Sequence, residues 1–381
     1  MHGSTDTQPA SSGALGEKSV ADRVESLQMV MRQRGVDLVV VGPSANMRYL
    51  TGYRAMAIER ITVLLVTPTA VAMIMPYFDA GEFRQTTGLD NVFEWRDREG
   101  PQGAIGEAFR ALDMPPGGIR AAVDDELRFD FWTRLRDRID GHASRAGELI
   151  APLRLSKSDD EQERIRRAGE LVSFGIDTAL EHARPGMTEL QLKRVIESAL
   201  WDAGAESVDF VLVQAGANSA VGHHSGDKTP IRQAEPVLVD VAARAEGYFA
   251  DITQQVFLGQ PTERYREIYE LVAEAQEAGV QAARAGAQAR DVDHAAMAVI
   301  DAAGFRQFTG PRTGHGIGLD IHEPPSVMDS DETTLPSGAI ITVEPGVYFP
   351  GEFGVRIEDT VIVGTGPPER VTRGARALFS K

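Results

Sequence analysis

Apolar residues return at every third or fourth position between residues 20 and 34, where Val24, Leu27, Val30 and Met31 share one face and Gly35 stops the run. This spacing predicts an amphipathic helix. The period then changes: residues 37–42, 61–67 and 70–75 are short runs of Val, Leu, Ile, Ala and Met separated by segments containing Pro, Gly and Asn, the pattern of buried strands. Helical patterns over residues 104–112 and 129–139 flank another apolar run at 119–123. Helix and strand thus alternate through the first 150 residues, as in an α/β layer. Asn46, Arg48, Tyr49 and Tyr53 are polar or aromatic enough to line a site, but turn and packing duties account for them better.

A proline at position 152 and the run Ser158-Asp159-Asp160-Glu161, a helix N-terminus with acids in its first turn, mark a second domain. The expected division is a disordered tail over residues 1–19, a small α/β domain over 20–150 and a larger domain over 151–381. The larger one opens with a helix to about residue 182, its face marked by Ile165, Ala168, Leu171 and Val172, and a second helix over 188–203 that closes at Gly204. The second half then repeats itself: Ala183-Arg184-Pro185-Gly186 and Ala283-Arg284-Ala285-Gly286 match at an offset of about one hundred, as do Ala203-Gly204 and Ala303-Gly304. Each helix pair is followed by an acidic β-hairpin. A duplicated helix-helix-hairpin unit predicts a pseudo-twofold domain with a cleft between its halves, where ligands favour binding.

Composition narrows the function. Lys+Arg 39 against Asp+Glu 56 gives a net charge of -17, which disfavours nucleic acid and anionic membrane as partners. Zero cysteines exclude disulfides and thiolate metal sites, so any metal is held by nitrogen and oxygen. The first twenty residues lack the basic start and apolar run of a secretory leader, and no run of about 18 uninterrupted apolar residues occurs, so the expectation is a cytoplasmic protein.

The chemistry concentrates in the hairpins and in one glycine-rich stretch. If residues 236–241 and 248–257 pair symmetrically about Ala245 and Glu246, Asp240 and Asp251 face each other directly, within about 5.5 Å at Cβ. Symmetry about Gly351 likewise sets Glu344 opposite Glu358. Facing like charges are destabilising, so the carboxyls are solvated, or one is protonated, or a cation lies between them; the apolar flanking runs argue against solvation. In the run from Thr313 to Pro325, Gly314, Gly316 and Gly318 surround His315 and are expected to allow positive φ and a close approach, in a loop built to present that histidine. Four carboxylates and one imidazole suit hard or borderline divalent ions such as Mn²⁺ or Co²⁺, two of which can share bridging carboxylates about 3.5–4 Å apart.

Together, the GHGIG run and the later His322-Glu323, the EPG at Glu344-Pro345-Gly346, GVRIEDT from Gly354 to Thr360, the two Asp eleven apart and AGANSAVGHH from Ala215 to His224 resemble the pita-bread metallopeptidases. The best match is the two-domain proline-specific branch of X-Pro dipeptidases (prolidases) and aminopeptidase P, and residues 46–53 and 153–161 extend the likeness into the N-terminal domain and the junction. The resemblance implies two divalent ions per subunit, Mn²⁺ or Co²⁺ ahead of Zn²⁺ or Fe²⁺. Asp240 would bind one ion through both oxygens, Asp251 and Glu358 would bridge, and His315 and Glu344 would complete the other shell. It also implies attack by a water that the cations acidify, proton relay by Glu344, and substrate contacts from His223 and His322 that steady the tetrahedral intermediate. Arg356 would support the substrate or the ligands. His2, His142, His182 and His294 have no such context and read as surface residues. A small X-Pro peptide as substrate and a homodimer belong to the same expectation.

Three departures concern substrate choice. Pro311 stands where many prolidases carry a histidine, Gln254-Gln255 replaces Arg-Thr after Asp251-Ile252-Thr253, and Ala242 replaces a glycine. Pro311 keeps open a non-peptidase amidohydrolase of the same fold, creatinase-like or ectoine-hydrolase-like. A binding protein on an inactive pita-bread fold is disfavoured because all five ligand positions are filled.

Overall fold

The computed structural model describes residues 19–139, 141–374 and 379–380. The tail expected over residues 1–19 thus lies outside the described residues, except for Ser19, which closes a capping box with Asp22 at the start of α1 (Val20–Arg34). Gly35 ends that helix at φ 65°, as its position in the sequence suggests.

The N-terminal domain is a six-stranded sheet of β1 (Leu38–Val41), β2 (Val63–Val66), β3 (Val71–Pro76), β4 (Val92–Trp95), β5 (Ala121–Val123) and β6 (Ala143–Arg145), in the order β4-β3-β2-β1-β5-β6. The two central pairings are antiparallel and the outer three parallel. β1 and β2 are buried throughout, which is why they read as unbroken apolar runs. Helices α2 (Ala45–Thr51), α3 (Ala80–Thr87), α4 (Gln102–Ala111) and α5 (Phe129–Ile139) fill the connections. Residues 46–53 largely form α2, capped by Ser44, and the Tyr49 hydroxyl donates to the Leu153 carbonyl at 3.0 Å, a packing role between segments. Residue 150, at which the sequence suggests a boundary, lies inside α6 (Gly147–Leu155), a helix that contains Pro152.

That domain contains two similar units. The first is α7 (Asp159–His182), α8 (Glu189–Asp202), β7 (Ser207–Ala215), β8 (Pro236–Ala245) and β9 (Tyr248–Phe257), with both helices packed on the sheet through Ile176, Ile196, Val211 and Val241. The second is α9 (Glu263–Ala282), α10 (Ala289–Ala302), β10 (Gly314–Gly316), β11 (Glu323–Val327), β12 (Ile340–Val343), β13 (Gly346–Phe349), β14 (Phe353–Arg356), β15 (Asp359–Ile362) and β16 (Glu369–Arg370). The offset of one hundred is structural: Gly186 and Gly286 have φ 91° and 92°, and their N–H groups donate to Ile231 and Leu335 at 2.9 Å in both cases. A two-residue strand at Phe379–Ser380 adds in parallel to β9.

The halves meet where β9 approaches β15. The Glu358 N–H donates to the Thr253 carbonyl at 3.1 Å, and the Asp251 N–H to Thr360 Oγ1 at 3.1 Å. The two domains share one hydrophobic cluster, in which Tyr49, Tyr53 and Phe83 join Ile165, Tyr248, Ile317 and Leu319. Beside it, buried Lys157 and Arg154 donate to the carboxylate of Glu323, the residue after His322.

Candidate metal centre and cleft

Each half delivers its acids on adjacent strands, and the register of the first hairpin differs from the symmetric expectation. Asp240 pairs with Thr253, and Asp251 with Ala242. The turn is the two-residue Glu246-Gly247, with φ 48° and 93°, so Ala245 stays in the strand and pairs with Tyr248. Paired residues share a face, so the two Asp are diagonal rather than opposite neighbours, which leaves room between their carboxylates. In the second hairpin, Val343 pairs with Asp359 and Gly346 with Arg356, a register that sets Glu344 across from Glu358 in the gap between the two ladders.

The glycine-rich stretch is a buried strand, not a presenting loop. None of Gly314, Gly316 and Gly318 has positive φ. Close approach explains them: a Cβ would lie 2.0 Å from the Thr342 carbonyl oxygen at Gly314 and 2.4 Å from that of Pro324 at Gly316. β10 is thereby pressed between β11 and β12, and His315 is 3% exposed. Its Nδ1–H donates to the Gly316 carbonyl at 2.9 Å, leaving Nε2 as a lone pair. Burial pushes its pKa down to about 4, which keeps the ring neutral.

Asp251, His315 and Glu358 each offer a donor atom within 4.8 Å of the others. Asp240, Asp251 and Glu358 are buried, and Asp240 Oδ1, Asp251 Oδ1 and Glu358 Oε1 have no hydrogen-bond partner. Burial, then the carboxylates of Glu358 and Asp240, hold Asp251 well above the ordinary range. Burial, then Glu344 and Asp240, do the same to Glu358. Burial also raises Asp240, against the opposing pull of Arg356. Three buried oxygens without donors, beside an imidazole lone pair, are the donor set of a cation site: without a cation they are costly, and with one they are satisfied. Glu344 differs from the sequence expectation of four buried acids. It is 20% exposed, accepts from Thr342 Oγ1 at 3.3 Å and lies 3.4 Å from His315 Nε2, so it faces both the centre and the open cleft.

All eight residues singled out in the sequence, Asp240, Asp251, His315, Glu344, Glu358, His223, His322 and Arg356, line a single cleft of about 910 Å³. His223 and His322 are exposed at its wall, and the His322 ring packs edge-on against His315 at 4.2 Å. Partial withdrawal of the ring from water at the cleft wall, then His315, pushes the His322 pKa down to about 4. Arg356 is engaged on three sides: it donates to Asp240 Oδ2 at 2.6 Å, Thr253 Oγ1 at 3.1 Å and the Tyr348 hydroxyl at 3.1 Å. His142, His182 and His294 are exposed and away from the cleft; His2 lies outside the described residues.

Sequence reasoning missed several members. Thr253 links Arg356 to Glu358, to which its hydroxyl donates at 2.7 Å, and Tyr348 borders the cleft beside Arg356. The missed Arg312 lines the cleft and, among the described residues, has no ion-pair partner. Its adjacency to Pro311 was the available signal.

The chain belongs to metallopeptidase family M24, whose model matches residues 163–365, and its N-terminal part matches the creatinase/prolidase N-terminal domain over residues 23–156. It is 28% identical to the Xaa-Pro dipeptidase of Pyrococcus horikoshii over 94% of this chain and 99% of that protein. Against the probable dipeptidase PepE of Mycobacterium tuberculosis it is 31% identical over 86% of this chain and 88% of the relative. The solved prolidase of Thermococcus sibiricus matches with a TM-score of 0.90 at 30% identity, covering 96% of this chain and 100% of that one. The two-domain pita-bread fold expected from the motifs is the fold of these relatives.

Proposed function

We propose that this protein is a dinuclear metal-dependent exopeptidase that hydrolyses the bond before proline in X-Pro dipeptides or short peptides. One observation carries the reading: Asp251, His315 and Glu358 each bring a ligand atom within 4.8 Å of the others in a peptide-sized cleft that Asp240 also lines, and each of the three acids has a buried oxygen without a donor. Asp240, Asp251, His315, Glu344 and Glu358 would hold two divalent ions. When bound, such ions supply Lewis-acid polarisation of the scissile carbonyl and acidify the attacking water. Oxygen-rich ligation with one nitrogen favours Mn²⁺ or Co²⁺ over softer ions. The homodimer and the cytoplasmic location rest on the resemblance and composition alone.

The chain's own residues then divide the work. Glu344, the most exposed of the four ligand carboxylates, takes the proton of the attacking water and returns it to the prolyl nitrogen as the C–N bond breaks. His322, neutral near pH 7, offers one ring N–H to the oxygen that gains charge in the tetrahedral intermediate, and His223 contacts the substrate and steadies that intermediate from the other wall. Arg356 orients Asp240. Leu212, Met297 and Phe308 supply apolar wall for a pyrrolidine ring.

The test is a panel of X-Pro, X-Pro-Y and X-Ala peptides with cyclic and guanidino amides, assayed with Mn²⁺. Selective cleavage before proline is expected. Hydrolysis of the non-peptide amides alone would move the assignment to the amidohydrolase alternative that Pro311 keeps open.

A further inference from the structure

Glu189 lies outside the cleft, yet its carboxylate gathers donors from four points of the loop that carries His223. It is the first residue of α8 and is fully buried. Oε1 accepts the Ala215 N–H at 2.6 Å and Asn218 Nδ2 at 2.9 Å. Oε2 accepts His224 Nε2 at 2.8 Å and the Asp227 N–H at 3.0 Å. Those donors come from the start, the first turn, the middle and the end of residues 215–227. Gln214 adds two clasps, donating to the carbonyls of Val221 at 3.2 Å and His224 at 2.9 Å. His223, itself exposed, sits between these fastened positions and lines the cleft.

Two simpler readings fit less well. Donor atoms of Glu189, His224 and Asp227 lie within 4.8 Å of one another, as in a cation site. Each Glu189 oxygen already accepts two hydrogen bonds, however, and Asp227, whose Oδ1 accepts the Thr229 N–H at 2.6 Å, is exposed, so neither residue has a buried donor-free oxygen like those of the main centre. A purely architectural need is opposed by the duplication. In the second unit Ala289 takes the same place, its N–H donating to Thr333 at 2.9 Å as that of Glu189 donates to Thr229 at 3.1 Å. The helix start folds without a carboxylate. What the first unit has in addition is a histidine loop fastened to this residue.

We infer that Glu189, through His224, Asn218 and the loop backbone, is the positioning residue for His223. This role rests on the substrate contact proposed above for that histidine. Misplacing a substrate contact by about 1 Å can lower turnover about a hundredfold, whereas loss of the fold would also remove metal and binding.

The test is a double-mutant cycle on an X-Pro dipeptide with Mn²⁺ bound. Glu189→Gln turns an amide donor toward His224 or the loop N–H groups, and is expected to lower kcat about tenfold or more with KM within about twofold and metal content unchanged. In a His223→Ala background the same substitution should cost no further activity, because the residue it positions is gone. Should Glu189→Gln fail to fold, His224→Leu and His224→Gln carry the test: the first removes the donor and should show the loss, and the second retains one and should recover most of it. Multiplying losses in the cycle, or full activity of Glu189→Gln, would overturn the positioning role alone. Wild-type turnover by His223→Ala would overturn the substrate contact, and this role with it.

Discussion

Arg356 Nη2 donates to Asp240 Oδ2 at 2.6 Å, and both side chains are nearly removed from solvent. In the metal-free protein this guanidinium is the cation that offsets the cluster of acids, and removing one partner of a buried pair costs about 3–5 kcal/mol. Arg356→Met is therefore expected to lower metal-free stability by about that amount, and metal-loaded stability by less, because bound cations take over the compensation. Chemical denaturation of both forms checks it. Equal losses would assign Arg356 a packing role.

The raised carboxylates fix a pH dependence. A group whose folded pKa exceeds its unfolded value contributes stability that is complete below the unfolded value, 3.8 for Asp and 4.5 for Glu, and lost as pH rises through the folded value. Asp240, Asp251 and Glu358 are all of this kind. His315 and His322, held down to about 4, have the opposite sign over this range and lose stability as pH falls below 6.5. The carboxylates are therefore read by difference: Asp251→Asn and Glu358→Gln should each shift metal-free melting toward relatively greater stability at pH 7.5 than at pH 5. Metal-loaded protein should melt lower at pH 5 than at pH 7.5, because its ligands must be deprotonated. Glu323 has the opposite sign: despite burial, Lys157 and Arg154 hold it below 4.5, so its contribution is lost only at still lower pH, outside this comparison.

Ligands and substrate contacts should separate by metal content. Glu358→Ala is expected to lose bound metal together with rate. His322→Ala should keep its metal and lose mainly kcat, by about a hundredfold or more if it stabilises the developing oxyanion. A metal-free His322→Ala protein would make that residue a ligand.

Pro311 is exposed at the cleft rim, and Arg312 beside it lines the cleft with no ion-pair partner among the described residues, so Arg312 is expected to receive a substrate carboxylate where many prolidases carry the histidine replaced by Pro311. A charged hydrogen bond is worth about 1.5–3 kcal/mol, or about ten- to a hundredfold in affinity. Arg312→Gln should raise KM by about that factor for X-Pro dipeptides and far less for X-Pro amides. Pro311→His should improve dipeptide kcat/KM in the Arg312→Gln background. An unchanged KM ratio between acid and amide substrates would exclude Arg312 from the contact.

Much of this site was legible in the sequence because its chemistry violates ordinary strand composition. Acids in apolar runs stand out, and a glycine-flanked histidine does so too, whatever the exact pairing. The pairing itself depended on the turn: Glu246 occupies a positive-φ position that residue preference assigns to Gly, Asn or Asp, so a symmetric guess displaced the centre by one residue and the partners by two. The glycines signalled a constraint but not its kind, since close approach of β11 and β12 is visible only once the chain is folded. Glu189 was hidden for a related reason. It reads as an acid in a helix first turn, and its partners lie 26 to 38 residues away.

The measurement closest to the central proposal is a Mn²⁺ titration of chelator-stripped protein, read as the initial rate on an X-Pro dipeptide. Turnover should be absent without metal, rise with added Mn²⁺ and level off at about two ions per chain, the number that five ligands with two bridging carboxylates can hold. Turnover by stripped protein, or a rate that stays at zero with both ions bound, would contradict the dinuclear X-Pro exopeptidase.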